Sequence, residues 1–187
     1  MTEGPDGRRR CGWATSADIY LDYHDQEWGV PLHGERELYE RLTLEAFQSG
    51  LSWLTILRKR ADFRRAFAAF DPATVAAFGE DDVARLMADA SIVRNLAKIN
   101  AAVTNARAIA ELDRPLDELL WSFAPDPTGR VRPATLADVP AITPESRAMA
   151  KELKRRGFAF VGPTTAYALM QATGMVDDHV RDCWRAR

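Results

Sequence analysis

The hydrophobic pattern of this chain is helical almost throughout. In "SWLTILRKRADFRRAFAAF" apolar residues return three and four positions apart, and "GERELYERLTLEAFQSG" runs about four turns into Gly50. No segment alternates apolar and polar residues over a strand's length with β-branched enrichment. Start and stop signals punctuate the pattern. "DPATVAAF" opens with Asp71 as an N-cap and Pro72 at the first helical position. "TPESRAMAKELKRRG" opens with Thr143 before Pro144 and stops at Gly157, where a left-handed residue can end a helix. "EDDVARLMADA", "VRNLAKINAAVTNARAIAEL" and "RPLDELLWSF" supply further helices. Residues 124–142, with Pro125, Pro127, Pro133 and Pro140, read as an irregular connector between two helical lobes. The expected architecture is all-α. Residues 11–187 form a single domain of two intimately packed lobes, and residues 1–10 form a mobile lead-in.

Composition changes this picture little. A chain of 187 residues, 47% apolar, suits one domain with a proper core, and a net charge of −2 excludes no partner. The uncharged run from Gly157 to Val176 invites a membrane reading. Its glycines, Pro163 and threonines suit instead a buried helix and the loop leading into it. No apolar stretch follows the basic residues of "MTEGPDGRRRCGWATS", so no signal peptide is expected and a soluble, cytoplasmic protein is the default reading.

Chemistry enters at three places. The first is the cysteines, of which the chain has two. His179 and Cys183 in "DDHVRDC" are spaced i, i+4 and would share a face if helical, while a loop could bring Cys11 and His24 together. Two thiolates and two imidazoles suit tetrahedral Zn²⁺. Four protein ligands leave no open position, so such a site would be structural and would tie the chain's two ends together. Spacing alone leaves equally open a pair of reduced, buried cysteines beside unrelated histidines. A Cys11–Cys183 disulfide is disfavoured in a reducing cytosol.

The second is Glu45, the one charged residue between Leu42 and Leu57. It falls on one helix face with Leu38 and Leu42. A buried carboxylate without a partner is costly. Either an arginine such as Arg94 pairs with it, or it accepts hydrogen bonds from a ligand inside an aromatic pocket. Trp13, Tyr20, Tyr23, Trp28 and Trp53 lie near in sequence, and their π-faces would favour a flat, cationic guest. The third is "KELKRRGFAFVGPTTAYALM". Here Lys151, Lys154, Arg155 and Arg156 precede a helix opening at Gly162–Pro163, whose free amides could hold a phosphate. An ordinary solvated face is the plainer alternative.

Taken together these pieces resemble the 3-methyladenine DNA glycosylase I family of the helix–hairpin–helix superfamily. The resemblance runs from "RCGWATSADIYLDYHDQEWGVP" through "LEAFQSGLSWLTILRKR", "FDPATVAAF", "DASIVRNLAKI" and "WSF" to "KRRGFAFVGPTTAYALMQATGMVDDHVRDC". It implies one structural zinc held by Cys11, His24, His179 and Cys183. It further implies a catalytic set of Glu45, Tyr23 and Trp53, with Glu45 reading the methylated base, the two rings stacking on it, and Trp13, Tyr20 and Trp28 completing the pocket. Gly50 and Leu51 would enter the duplex, and Arg156, Gly157, Gly162, Thr164 and Thr165 would meet the DNA backbone. The implied activity is base-excision repair by a monomer. The flipped 3-methyladenine is cut from double-stranded DNA at its N-glycosidic bond, giving the free base and an abasic site without strand cleavage. The alternative is a non-catalytic, zinc-stabilised binder of damaged or bent DNA.

Several positions depart from the family's pattern or bear on it. Ala46 stands where glycine is common and is expected to narrow the pocket. Leu96 stands where a basic residue is frequent and is expected to remove a phosphate contact or an ion pair. Asp177 and Asp178 lie in the region where superfamily relatives carry a catalytic aspartate, whose functional equivalent this family is described as lacking. Asp178 is read here as a supporting partner of His179 rather than a general base.

Overall fold

A computed structural model describes residues 1–186, and helices carry nearly all of their regular structure. A small antiparallel hairpin, β1 (Thr2–Glu3) and β2 (Arg9–Arg10), precedes α1 (Asp18–Gln26), α2 (Glu35–Gln48) and α3 (Trp53–Ala66). Then follow α4 (Pro72–Ala76), α5 (Glu80–Ala88), α6 (Leu96–Ala110), α7 (Leu116–Trp121), α8 (Pro144–Arg155) and α9 (Pro163–Ala172).

The helix α2 is the axis of the fold. From Leu38 to Phe47 all of its residues but Glu40 are buried, and it packs against α3, α6, α7 and α9. A helix enclosed on every side can hold a polar group in the core only with a purpose or a partner, which makes Glu45 on this helix informative. One contiguous apolar cluster joins Leu38 and Phe47 to Phe63 and Phe67, to Ile99 on α6 and to Leu169 on α9.

The helix starts follow their caps. Side chains of Ser52, Asp71, Asn95 and Thr143 accept the backbone N–H of Thr55, Thr74, Lys98 and Ser146 at 3.2, 2.9, 3.1 and 3.2 Å. Such a cap contributes about 1 kcal/mol. Gly157 ends α8 with φ 88°. Between α3 and α4 the chain reverses through Ala68, Ala69 and Phe70, all left-handed at φ 51°, 53° and 56°. This turn sets the Phe70 ring parallel to that of Phe67, with centroids 5.6 Å apart.

Three segments differ from the sequence expectation. In residues 1–10 specific contacts stand where local patterning offered none. Arg10 is 4% exposed, its guanidinium donates to Asp6 Oδ1 at 2.6 Å and to Asp25 Oδ2 at 2.6 Å, and Arg8 lies over the Trp184 ring. Ion pairs that span sequence-distant acids are invisible to local patterning. His179 and Cys183 are not on a helix. They sit on irregular chain, brought together by a turn in which the Cys183 N–H donates to the Val180 carbonyl at 2.8 Å. The 124–142 connector is a fastened strap: Arg130 reaches Asp178, Arg132 reaches Asp177, and the Pro133 carbonyl accepts from the Arg181 N–H. No helix of the described residues is long and apolar enough to cross a membrane.

Candidate active site and metal cluster

The C-terminal half of α2, the start of α3, α1 and the last turns of α9 enclose a cavity of about 410 Å³. Its wall contains Glu45 and all five aromatic residues singled out in the sequence: Trp13, Tyr20, Tyr23, Trp28 and Trp53. The rings brace one another edge to face, with Trp13 at 5.4 Å from Tyr20 and 5.2 Å from Trp28, and Tyr23 tilted at 5.4 Å from Trp53. Such pairs fix each other's orientation. Gln48, Leu136, Val139, Ala168 and Gln171 also line the cavity and were missed. Gln48 follows Glu45 by three and so was legible on the same helix face. Leu136 and Val139 come from the strap, where no periodic signal existed.

Glu45 is 6% exposed, and none of the described residues donates a hydrogen bond to it. Burial raises its pKa from 4.5 to about 7, opposed in part by the charge of Arg41. The arginine expected as its partner, Arg94, is exposed and elsewhere. The nearby cation is Arg41, one turn earlier on the same helix. Its guanidinium donates to the Tyr23 hydroxyl at 3.1 Å and to Glu27 Oε2 at 3.1 Å, and Arg60 grips the same Glu27. The Tyr23 oxygen accepts from Arg41 and keeps its own proton to give. Burial pushes that phenol's pKa upward, so it stays a donor. Ala46 is buried but does not line the cavity, so its methyl group does not narrow it.

At the junction of the chain ends Cys11, His24, His179 and Cys183 are all buried, and their ligand atoms lie within 4.8 Å of one another. Cys183 Sγ is 3.4 Å from His24 Nε2 and 3.6 Å from His179 Nδ1, and Cys11 Sγ is 3.8 Å from His179 Nδ1. The S···N edge of a tetrahedral zinc site is about 3.6 Å, from its bond lengths. The outer nitrogens are also engaged: His24 Nδ1 with Asp25 Oδ1 at 2.7 Å, His179 Nε2 with the Trp28 carbonyl at 3.1 Å. These contacts orient each imidazole with a lone pair toward the thiols. Both cysteines are free of disulfide. The cluster could therefore hold a metal, with no position left for substrate.

Asp178 does not support His179. Its carboxylate accepts from Arg130 Nη2 at 2.6 Å, the Tyr167 hydroxyl at 2.7 Å and Gln171 Nε2 at 2.8 Å. Within the Cys/His cluster the carboxylate that meets a histidine ring is Asp25, on His24. Asp178 is sealed at 1% exposure, which also removes it as a base for water.

On the outer face, Gly50 (φ 79°) and Leu51 (38% exposed) form the turn after α2. Buried Lys98 holds this turn, donating from Nζ to the Phe47 carbonyl at 2.9 Å and the Ser49 carbonyl at 2.5 Å. Leu96, which opens α6 two residues before Lys98, is solvent-exposed. At the α8–α9 hairpin Gly162 caps α9, Thr164 is exposed and Thr165 half-buried. The expected basic cluster is smaller than its count. Arg155 pairs with Glu152, and Arg156 with both Glu152 and Asp113, leaving Lys151 and Lys154 free of such pairs among the described residues.

The chain is similar to known proteins over nearly its whole length. The profile of the methyladenine glycosylase family matches residues 13–186. The chain is 45% identical over 177 residues to DNA-3-methyladenine glycosylase 1 of Escherichia coli (strain K12), covering 93% of this chain and 95% of that protein. A crystal structure of 3-methyladenine DNA glycosylase I superposes with a TM-score of 0.90 at 42% identity, over 96% of this chain and 100% of that one. A variant of 3-methyladenine DNA glycosylase I in complex with 3-methyladenine gives 0.88 at 32% identity, over 95% and 97%. The chain belongs to the methyladenine glycosylase family.

Proposed function

We propose that this protein is a monofunctional DNA repair glycosylase that releases 3-methyladenine from double-stranded DNA and leaves an abasic site. The observation that carries the proposal is Glu45: a buried carboxylate without a hydrogen-bond donor, in an aromatic cavity, in a chain of this family. A base must leave its stack to reach such a cavity. N3-methylation makes adenine cationic, so the base is already a good leaving group. The carboxylate of Glu45 accepts hydrogen bonds from the base and favours its charge. Tyr23 and Trp53 take its faces, with Trp13, Tyr20 and Trp28 closing the sides. The C1′–N9 bond then breaks, its electron pair neutralising the base, while a water oxygen bonds to C1′ and sheds its proton to solvent.

The Gly50–Leu51 turn fills the gap left by the flipped nucleotide. The α9 N-terminus with Gly157, Gly162, Thr164 and Thr165 meets the phosphates. Arg156, held by two carboxylates, shapes the hairpin rather than neutralising a phosphate. Cys11, His24, His179 and Cys183 hold one Zn²⁺, which when bound cross-links the chain ends and takes no part in the reaction. The enzyme acts as a monomer in the cytoplasm.

The test is chromatographic. Methylated duplex DNA is incubated with the wild type and with Glu45→Gln, and the liberated base is identified. Wild-type release of 3-methyladenine, slowed at least about a hundred-fold in the variant, is expected from loss of a charged contact to the departing base. Equal release by both would remove Glu45 from its role. Tight binding to abasic DNA with no base released would favour a non-catalytic binder.

A further inference from the structure

Gln171, on the last turn of α9, lines the same cavity as Glu45. Its side-chain nitrogen donates to Asp178 Oδ2 at 2.8 Å. Asp178 is 1% exposed and also accepts from Arg130 at 2.6 Å and from the Tyr167 hydroxyl at 2.7 Å. An ionised carboxylate is an acceptor only. The ion pair with Arg130 therefore admits one orientation of the Gln171 amide, NH₂ toward Asp178 and carbonyl away from it. A glutamine on a free surface could offer either end, but this one cannot. No described residue donates to the side-chain oxygen Oε1 of Gln171, and that oxygen is not among the enclosed, unpartnered side-chain atoms, so it is open to what enters the cavity.

We infer that Gln171, locked by Asp178, presents a fixed carbonyl acceptor to the flipped base, making the site select purines with a 6-amino group over those with a 6-oxo group. Adenine carries N–H donors at position 6 where guanine carries an acceptor oxygen. With Glu45, the cavity offers two acceptors. The amino group satisfies acceptors, whereas a 6-oxo group would set oxygen against oxygen and leave the buried groups unpaired. This gives Asp178 a task in the site although it touches no substrate: it is a positioning residue.

The inference rests on the cavity being the base site. The test measures both together, using duplex DNA carrying 3-methyladenine and 3-methylguanine and reading the ratio of the two release rates. Gln171→Met keeps the length of the side chain and removes the acceptor. It is expected to lower the ratio of 3-methyladenine to 3-methylguanine release about ten-fold, chiefly by slowing the former. Asp178→Asn is the second variant. Its carbonyl, in the place of Oδ1, can still accept from Arg130, while its NH₂, in the place of Oδ2, faces the Tyr167 hydroxyl oxygen and donates to Gln171, turning the glutamine NH₂ into the cavity. The ratio should fall at least as far, with 3-methylguanine release gaining. Bound metal and melting midpoint, measured alongside, show that both variants are folded. A ratio unchanged in both, or both bases slowed by one common factor, overturns the inference. If the wild type releases neither base, the reading of the cavity falls and this inference with it. Normal release by the wild type, impaired by Glu45→Gln, with Gln171→Met unchanged in ratio, overturns this inference alone.

Discussion

Arg41 and Glu45 stand one turn apart on α2, yet the guanidinium is committed to Glu27 and the Tyr23 hydroxyl, and the carboxylate is left to the cavity. A buried acid with a cation at i−4 ordinarily closes an ion pair. Here Glu27 and the Tyr23 hydroxyl draw Arg41 aside, so Arg41 acts on Glu45 only through its field. The arrangement preserves an acceptor where a cationic ligand can use it.

The cost of that acceptor is measurable in stability. Burial raises the pKa of Glu45 from 4.5 to about 7. The folded protein thus holds this proton more tightly than the unfolded chain does. The group weighs least on stability below pH 4.5, weighs increasingly as pH rises to 7, and costs a constant amount above it. At about 1.4 kcal/mol per unit the full cost is about 3 kcal/mol. Glu45→Gln should therefore melt later than wild type at pH 8 and near the wild-type temperature at pH 5. Urea titrations at the two pH values read the difference. An equal shift at both would mean the carboxylate is not charged against its surroundings.

The same titration governs catalysis. If the carboxylate form reads the cationic base, kcat/KM should climb as pH rises through about 7 and then level. Arg41→Met removes the one nearby charge that eases ionisation of Glu45, so the rising limb should move to higher pH, by about one unit. A profile that keeps its midpoint in the variant would show that Arg41 serves Tyr23 and Glu27 alone.

How far these features were legible depends on whether they are local. Asp71–Pro72, Thr143–Pro144 and Gly157 mark helix ends through contacts within four residues, and each does so in the structure. Glu45 was legible because a single charge in an apolar run demands an account. Which arginine answers it was not, since Arg41 lies on the expected helix while its partner Glu27 comes from the segment after α1. The strap shows the same limit. Leu136 and Val139 reach the cavity only because Arg130 and Arg132 anchor residues 124–142 to Asp178 and Asp177, pairs separated by more than forty positions. The i, i+4 spacing of His179 and Cys183 pointed to the right pair through the wrong element, because a turn can bring such residues as close as a helix does.

Removal of one metal ligand tests the clasp separately from the chemistry. Cys183→Ser should lose the bound metal and, by freeing a loop that spans nearly the whole chain, on the order of 4 kcal/mol of stability. The β1–β2 hairpin docks on the segment beyond Cys183, with the Trp184 N–H donating to the Arg9 carbonyl at 2.9 Å, so residues 1–10 should become open to proteolysis together with the C-terminal turn. Residual base release by the folded fraction is expected. A fully stable variant without activity would instead make the metal catalytic.

Asp25→Asn probes the ring orientation of His24. Asp25 takes the His24 Nδ1 contact at 2.7 Å while pairing with Arg10, so the hairpin is coupled to the Cys/His cluster through one carboxylate. Metal affinity should fall about ten- to a hundred-fold, the usual effect of removing such a partner. Competition with a zinc chelator gives the number. An unchanged affinity would mean the Cys11, His179 and Cys183 contacts orient the site without Asp25.

The left-handed turn at Ala68–Phe70 predicts an improvement. Ala69 is exposed with φ 53°, where a Cβ costs about 1 kcal/mol and glycine costs nothing. Ala69→Gly relieves that strain, and the greater freedom it gives the unfolded chain offsets part of the gain. The net should be about 0.5 kcal/mol of stabilisation, raising the melting midpoint by roughly 1–2 °C without touching the cavity. Gly174 is the converse. Its φ is 71°, and a Cβ there would stand 2.5 Å from the backbone of Val30 and Pro31, which cannot move aside as a side chain could. Gly174→Ala should destabilise by about 3 kcal/mol or more, since strain and clash add. Thermal melts of the two variants beside wild type should move in opposite directions. A loss of stability in Ala69→Gly would show that the turn is held by unfolded-state stiffness rather than strained by its side chain.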